Sequence, residues 1–228
     1  MTKAPTLVLT RPAAQSAQVA DRVSRLLPAA RILTSPVLEI MATGAPVDLS
    51  AYRGVILTSQ NAAPFLPSLA GVPAYVVGAR TAAGCGADVR LIAKDADDLV
   101  SRLDAEGPLL HPHGAVTVGD IAKRLSSAGI ETHDAVVYDQ RALDLSAHTV
   151  ETLMGDEPAV LPLWSPRSAT LVGTQVPALG LSVQVIALSP AVARAWLEAT
   201  GRDCEVCARP DGDEMFARIV AALSGEVA

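Results

Sequence analysis

Short apolar runs alternate along the whole chain with stretches in which apolar residues recur at helical spacing. The apolar runs predict buried strands at residues 7–9, 55–57, 74–77, 159–163 and 184–188. The helical spacing is clear at residues 120–128 and 191–199. Because strands that alternate with helices form βαβ units, the pattern predicts an α/β protein with parallel sheets flanked by helices.

The chain also repeats its own pattern. Residues 57–63 and 163–169 each show a strand, a serine with polar neighbours and then small residues that open a helix. Residues 76–82 are echoed by residues 187–193 in the same order. A repeated order of elements predicts two similar lobes rather than one sheet.

Two extended segments are candidates for the joints between these lobes. They lie near residues 35–40 and 132–138, and together they would form a two-stranded linker. If the first strand and helix pack with the second half of the chain, the first domain is discontinuous. It then contains residues 1–34 and 142–228, and residues 35–141 form the second domain.

A strand that runs into a small, polar helix start is the recurrent local motif. It occurs at residues 58–61, 78–81, 165–168 and 189–190. Serine and threonine are good N-caps, and proline suits the first helical turn, so ordinary capping explains any one of them. Four such starts after predicted parallel strands also suggest a site for carboxylates or phosphates, because free N–H groups and the helix dipole attract anions.

Composition and charge limit the classes of function. Half of the residues are apolar and only 3% are aromatic, so small aliphatic side chains must fill the core. A net charge of -6 argues against a nucleic-acid partner. No Gly-x-Gly-x-x-Gly motif follows a strand, and no apolar run is long enough to span a membrane. With no secretory h-region and an odd number of cysteines, we expect a cytoplasmic protein.

Three motifs carry possible chemistry. Cys204 and Cys207 form a Cys-x-x-Cys pair without a second pair, which favours core filling over a zinc site. His111 and His113 flank a proline, and two histidines without a nearby third ligand indicate a loop rather than a metal site. Tyr138 ends an apolar run, so it is either a half-buried strand residue or a proton donor in a cleft.

Read in order, these segments resemble the uroporphyrinogen-III synthase family over almost the whole chain. Order and spacing carry the resemblance, because no single motif is diagnostic. The matching segments are residues 9–12, 35–36, 57–59, 77–78, 81–82, 137–138, 165–168, 189–190 with Ala193, and 208–210.

The resemblance implies two α/β lobes with a site in the cleft between them. It implies that linear hydroxymethylbilane loses water and cyclises to uroporphyrinogen III, with inversion of the last pyrrole ring and no metal or organic cofactor. Tyr138 matches a family tyrosine that assists departure of the hydroxyl group. The partner is this polycarboxylate, and we expect a monomer. Residues expected to bind the substrate are Thr10, Arg11, Thr58, Ser59, Asn61, Gly78, Arg80, Thr81, His113, Gly114, Ser165, Arg167, Ser168 and Ser189.

The chain departs from the family pattern at two places. His113-Gly114 stands where many relatives have Arg-Gly, and Ser189-Pro190-Ala191 replaces a commoner Gly-Pro-Thr. Two other classes of function stay open on the residues alone. One is a non-catalytic two-lobed binding protein for an anionic small molecule, and the other is an α/β transferase with a nucleotide-like cofactor.

Overall fold

The computed structural model describes residues 4–116 and 119–225. Its strands are β1 (Thr6–Leu9), β2 (Arg31–Thr34), β3 (Leu38–Ala42), β4 (Gly54–Leu57), β5 (Pro73–Val77), β6 (Asp88–Ala93), β7 (Leu109–Gly114), β8 (Thr132–Ala142), β9 (Ala159–Leu163), β10 (Val183–Ala187) and β11 (Glu205–Val206). Its α-helices are α1 (Ala13–Leu26), α2 (Ala79–Gly84), α3 (Ala96–Arg102), α4 (Ile121–Ser127), α5 (Ala147–Met154), α6 (Pro166–Gln175), α7 (Pro190–Thr200) and α8 (Gly212–Ser224). The described part thus alternates strands and helices, as the apolar pattern predicts.

The chain divides into two compact units. Unit 1 contains Met1–Glu39 and Ala142–Ala228, and unit 2 contains Ile40–Arg141. The chain passes from one unit to the other twice, within β3 and at the end of β8. Whether the units are domains that fold alone, with the boundaries expected above, stays a prediction.

Unit 1 is built on a sheet with the strand order β11-β10-β9-β1-β2. The paired strands run parallel, and β1 lies between β9 and β2. Alternate residues of β1 enter different cores: Val8 packs with residues of α6 and α7, whereas Leu7 and Leu9 pack with residues of α1 and α8. Because both faces of the sheet are covered, β1 is buried throughout its length, and three of its four residues are apolar.

Unit 2 is built on a sheet with the order β3-β8-β7-β4-β5-β6. Ile56 of β4 packs on one face with residues of α3 and α4, such as Leu99 and Leu125. Val55 and Leu57 face the other side, where the irregular segment between β4 and β5 supplies much of the cover. One face of this sheet therefore has helices and the other has mostly turns.

The expected helix after β4 is wrong. The segment forms a turn and a short 3-10 helix, Ala63–Phe65, instead of an α-helix. Pro67 explains why the helix stops so early, because a residue that precedes proline is pushed out of the helical region. Pro67 follows Leu66, whose extended backbone has φ -108° and ψ 157°.

The expected loop at His111 and His113 is also wrong, because both residues lie in β7. Pro112 lies between them, in a strand that has neighbours on both sides. The ladder with β4 pairs Gly54 with Leu109 and Val55 with Leu110, and stops before the proline. The missing N–H of Pro112 therefore costs no bond in that ladder.

The cysteine pair behaves as core filler. Cys207 is buried with residues of α8, whereas Cys204 packs against the core on the other face of the sheet. Burial raises the pKa of both thiols, so neither is a ready thiolate.

In the part of the chain that the structure describes, no helix has the length and apolar character needed to cross a membrane.

Candidate functional site

The carboxyl edge of the unit 2 sheet gathers the predicted residues of that unit. Because β4, β5, β7 and β8 are parallel neighbours, the segments at their carboxyl ends meet at one edge. Ligands of open α/β sheets bind at that edge. The predicted residues located there are Thr58, Ser59, Asn61, Gly78, Arg80, Thr81, His113, Gly114 and Tyr138.

Tyr138 is held in a fixed position near the end of β8. Only 4% of the residue is exposed, and its ring stacks on Phe65 with 6.1 Å between the centroids. Gly114 makes room for the ring, because a Cβ there would lie 2.5 Å from Tyr138 Cε2. Among the described residues the phenol oxygen has no hydrogen-bond partner, and it is not sealed from solvent. The ring is therefore fixed while its hydroxyl stays available.

Two imidazoles and one carboxylate meet at this edge. His111 Nδ1 lies 2.9 Å from Asp134 Oδ1, and His113 Nε2 lies 3.4 Å from the same oxygen. Burial lowers the pKa of His111, although the hydrogen bond with Asp134 opposes this shift. At neutral pH His111 is therefore neutral, and its Nδ1–H donates to the carboxylate.

Thr58 joins this group from the end of β4. Its Oγ1 lies 3.4 Å from His111 Nε2, a long hydrogen bond. Since Nδ1 of the neutral ring carries the proton, Nε2 accepts from the threonine hydroxyl. The next residues form a tight turn in which the Ser59 hydroxyl accepts from the Asn61 amide at 3.2 Å.

The segment after β5 is compact. Gly78 has a φ of 83°, a left-handed conformation that favours glycine, and α2 follows it directly. Thr81 is buried in α2, whereas Arg80 is exposed. Of the three predicted residues here, only Arg80 therefore offers a solvent-accessible charge.

The unit 1 sheet has its own group of predicted residues at the end of β1. Arg11 is only 9% exposed, and its guanidinium lies over Trp164 at 4.8 Å from the ring centroid. Its Nη2 donates to Gln15 Oε1 at 2.6 Å. Thr10 is almost fully buried beside it.

Two long helices of unit 1 begin at predicted residues and differ in capping. Ser165 caps α6, because its Oγ accepts the Ser168 amide at 3.1 Å. Ser189 is the N-cap residue of α7 but makes no side-chain cap bond. Arg167 lies in the first turn of α6. The α7 start therefore retains more unused hydrogen-bonding capacity than the α6 start.

The predicted residues thus form two groups, one at the carboxyl edge of each sheet. Several neighbours that complete these groups were not predicted: Gln15, Phe65, Asp134 and Trp164. Only Asp134 carried a readable signal, since it lies on the extended segment near residues 132–138 that was expected to be a linker strand. His111 was noted only as part of its motif, and the structure gives it a contact with both Asp134 and Thr58.

The fold and these groups define a class: an α/β protein of two units built on mostly parallel sheets, with helix starts in one edge group and a phenol with imidazoles in the other. A sequence model described as uroporphyrinogen-III synthase HemD matches residues 29–217. That match covers most of the chain, so the chain belongs to the uroporphyrinogen-III synthase family.

Solved structures have the same fold. Uroporphyrinogen-III synthetase from Helicobacter pylori aligns with a TM-score of 0.66 at 17% identity, over 95% of this chain and 99% of that chain. A mutant uroporphyrinogen III synthase from the extreme thermophile Thermus thermophilus aligns with a TM-score of 0.53 at 15% identity, over 97% of this chain and 100% of that chain. At such low identity these alignments establish the fold alone. No curated protein sequence matches the chain significantly.

Proposed function

We propose that this protein converts hydroxymethylbilane to uroporphyrinogen III, as a hydro-lyase that needs no metal or organic cofactor. The family match supports the reaction, and the observation that carries the mechanism is the fixed Tyr138 ring with its available hydroxyl. The expected monomer and the cytoplasmic location belong to the same proposal. The three free thiols fit a reducing compartment.

Tyr138 acts on the leaving group in this proposal. The hydroxymethyl C–O bond breaks, and the lone pair of the adjacent pyrrole nitrogen stabilises the carbon that remains. The departing oxygen gains negative charge during this step. The Tyr138 hydroxyl donates a hydrogen bond to that oxygen. The oxygen leaves as water with a proton supplied through the Tyr138 hydroxyl, and the pyrrole carbon that closes the ring loses a proton in return.

The unit 1 group binds carboxylates of the substrate in this proposal. The start of α7 offers amide N–H groups and a Ser189 hydroxyl without a capping bond, both suited to an acetate or propionate oxygen. Arg11 adds a buried positive charge at the end of β1. These local donors explain how a chain with a net charge of -6 can bind a polyanion.

Positioning decides the product in this proposal. Hydroxymethylbilane also closes without an enzyme, and that reaction gives the symmetric isomer I. To make isomer III the protein has to hold the last ring so that it inverts before closure. Holding reacting groups in one geometry is a large source of rate enhancement, and it does not require a strong catalytic group.

One assay tests this function. The purified chain receives enzymatically made hydroxymethylbilane, and the uroporphyrinogen isomers are separated after the reaction. We expect mainly isomer III, with isomer I alone in the control without the chain. Turnover should survive exhaustive chelation and dialysis. If the chain binds the bilane but leaves isomer I as the product, it is a binding protein and not the synthase.

A further inference from the structure

We propose that His111, His113 and Asp134 form a binding site for a divalent transition-metal ion of the zinc class. One ligand atom from each residue lies within 4.8 Å of the other two. The synthase reaction proposed above does not use this ion, so the site is an addition to that function.

The sheet itself builds the site. His111 and His113 are two residues apart in β7, so their side chains share one face of the sheet. The register pairs His111 with Asp134 on the parallel neighbour β8. The imidazole rings lie 4.9 Å apart between centroids. Two paired strands therefore fix all three ligands, which is a firmer support than a loop provides.

The second ring nitrogen of each histidine already has a partner. His113 Nδ1 lies 2.8 Å from the Gly114 carbonyl, and because a carbonyl can only accept, Nδ1 carries a proton. In the neutral ring, Nε2 then has a lone pair, which faces Asp134 Oδ1 at 3.4 Å. Two electron-rich atoms face each other, and a cation between them removes the repulsion.

Thr58 is the partner of the second ring nitrogen of His111, as the Gly114 carbonyl is for His113. A metal on His111 Nδ1 leaves the proton on Nε2, which then donates to Thr58 Oγ1, 3.4 Å away. Metal-binding histidines usually donate their other N–H to such a partner, which fixes the ring and its tautomer. The group therefore has ligands with their supporting hydrogen bonds, and the two imidazoles have only to turn towards one ion.

The distances from Asp134 to the two imidazoles suit a tetrahedral ion of this class. With metal–ligand bonds of about 2.0–2.1 Å, ligand atoms lie roughly 3.3 Å apart. The two imidazole nitrogens lie 2.9 Å and 3.4 Å from one shared carboxylate oxygen. Two imidazoles with one carboxylate favour zinc, cobalt, nickel or copper over magnesium and calcium, which prefer oxygen ligands.

The burial of His111 and the exposure of Asp134 also suit a metal site. His111 is 1% exposed, so the surrounding side chains hold its ring in place. Half of the Asp134 side chain is exposed, which leaves a path for the ion and for water at the remaining coordination position.

The test uses the purified full chain, stripped of metal, with Co²⁺ and Zn²⁺ as the probes. Calorimetry measures stoichiometry and affinity, and visible absorption of Co²⁺ reports the coordination geometry. We expect one ion per chain with tetrahedral Co²⁺ bands, and no displacement by a large excess of Mg²⁺. No binding by the wild-type chain, or full displacement by Mg²⁺, would overturn the proposal. Neither measurement depends on turnover, so a failed synthase assay leaves this test intact.

Variants identify the ligands. We expect Asp134→Asn and His113→Ala each to weaken Co²⁺ binding by roughly 100-fold or more, since even supporting residues of a metal site contribute 10–100-fold. Asp134→Asn keeps the side-chain shape at a half-exposed position, so it tests the site even if variants at buried His111 fail to fold. If both variants bind as the wild type does, these residues are not the ligands.

Two controls complete the design. His133→Ala removes an exposed imidazole of the same strand, one that lies 3.1 Å from Glu131, and should leave binding unchanged. Cys204→Ser with Cys207→Ser should also leave it unchanged, because those thiols lie in unit 1 and their pKa values are raised by burial. Loss of binding in either control would assign the ion to other residues.

Discussion

The carboxyl edges of the two sheets follow one sequence pattern but present different chemistry. In unit 1 the edge is built from helices of ten and eleven residues that start at serine and proline. In unit 2 the matching segments give a 3-10 turn and a six-residue helix. The unit 2 edge relies instead on a phenol, two imidazoles and a carboxylate. The repeated pattern therefore places the strands in the same way in both units, whereas the polar groups at the strand ends differ between the units.

The largest effect should come from the unit 2 phenol. Tyr138→Phe removes a hydrogen-bond donor at the leaving oxygen, so we expect turnover to fall roughly tenfold to a thousandfold. The loss should appear mainly in kcat, because the ring still packs and the carboxylate contacts lie elsewhere. A slower enzyme should also release a larger share of isomer I, which isomer separation measures.

Tyr75→Phe is the matched control, since it removes a hydroxyl from another strand of the same sheet. Turnover and isomer ratio should match the wild type there. If the folded Tyr138→Phe variant keeps the wild-type turnover and isomer ratio, Tyr138 has no part in the mechanism.

The support beneath the phenol should be the next most sensitive feature. Gly114→Ala places a Cβ 2.5 Å from the Tyr138 ring, so the ring or strand has to shift. We expect about 1–3 kcal/mol of lost stability from overpacking, measured by urea unfolding, together with a raised share of isomer I. Gly84→Ala, where an added Cβ meets nothing within 4 Å, should change neither. Equal behaviour of the two variants would show that the close contact is unimportant.

Two serines at the unit 1 edge, one with a capping bond and one without, can be compared directly. Ser165→Ala removes the acceptor of the Ser168 amide and should cost about 1 kcal/mol in the free energy of unfolding. Ser189→Ala removes no capping bond, so its stability should stay near that of the wild type. Its effect should instead be a raised KM, because Ser189 binds the substrate in our proposal. The reverse ranking of stabilities would contradict the capping assignment.

The smallest effect concerns the thiols of unit 1. Because burial raises the pKa of Cys204 and Cys207, less thiolate is present at any given pH than in the unfolded chain. Alkylation of the native protein at pH 8 should therefore be slower than alkylation in urea, and Cys207, which is 5% exposed, should be the slower of the two. Mass spectrometry of labelled peptides measures both rates. Equal rates in native and unfolded protein would place these thiols outside the core.

Local patterns predicted much of the fold and less of the site. Apolar periodicity located strands such as β9 and helices such as α7, because burial on one or both faces imposes that spacing. Pro64 and Pro67 indicate a turn after β4, but the similarity to residues 163–169 led to the prediction of a helix there. Tyr138 was located by family resemblance, not by its own pattern.

The rest depended on strand register, which the sequence does not reveal. Asp134 faces His111 only because β7 and β8 pair at that register, across 23 residues of sequence. The contact between Gly114 and Tyr138 requires a register shift after His113. A one-residue slip would move these side chains to the opposite face, so no local spacing rule could find them.

The position of β1 imposes a delay during synthesis. Leu7 pairs with Val160, so β1 leaves the ribosome long before this partner strand is made. At 5–20 residues per second, translation from β1 to β9 takes about 8 to 30 s. All of unit 2 is translated during this time. During this time an apolar strand has an unpaired edge, which is the kind of segment that aggregates. We therefore expect nascent chains of this protein to bind chaperones until β9 has emerged.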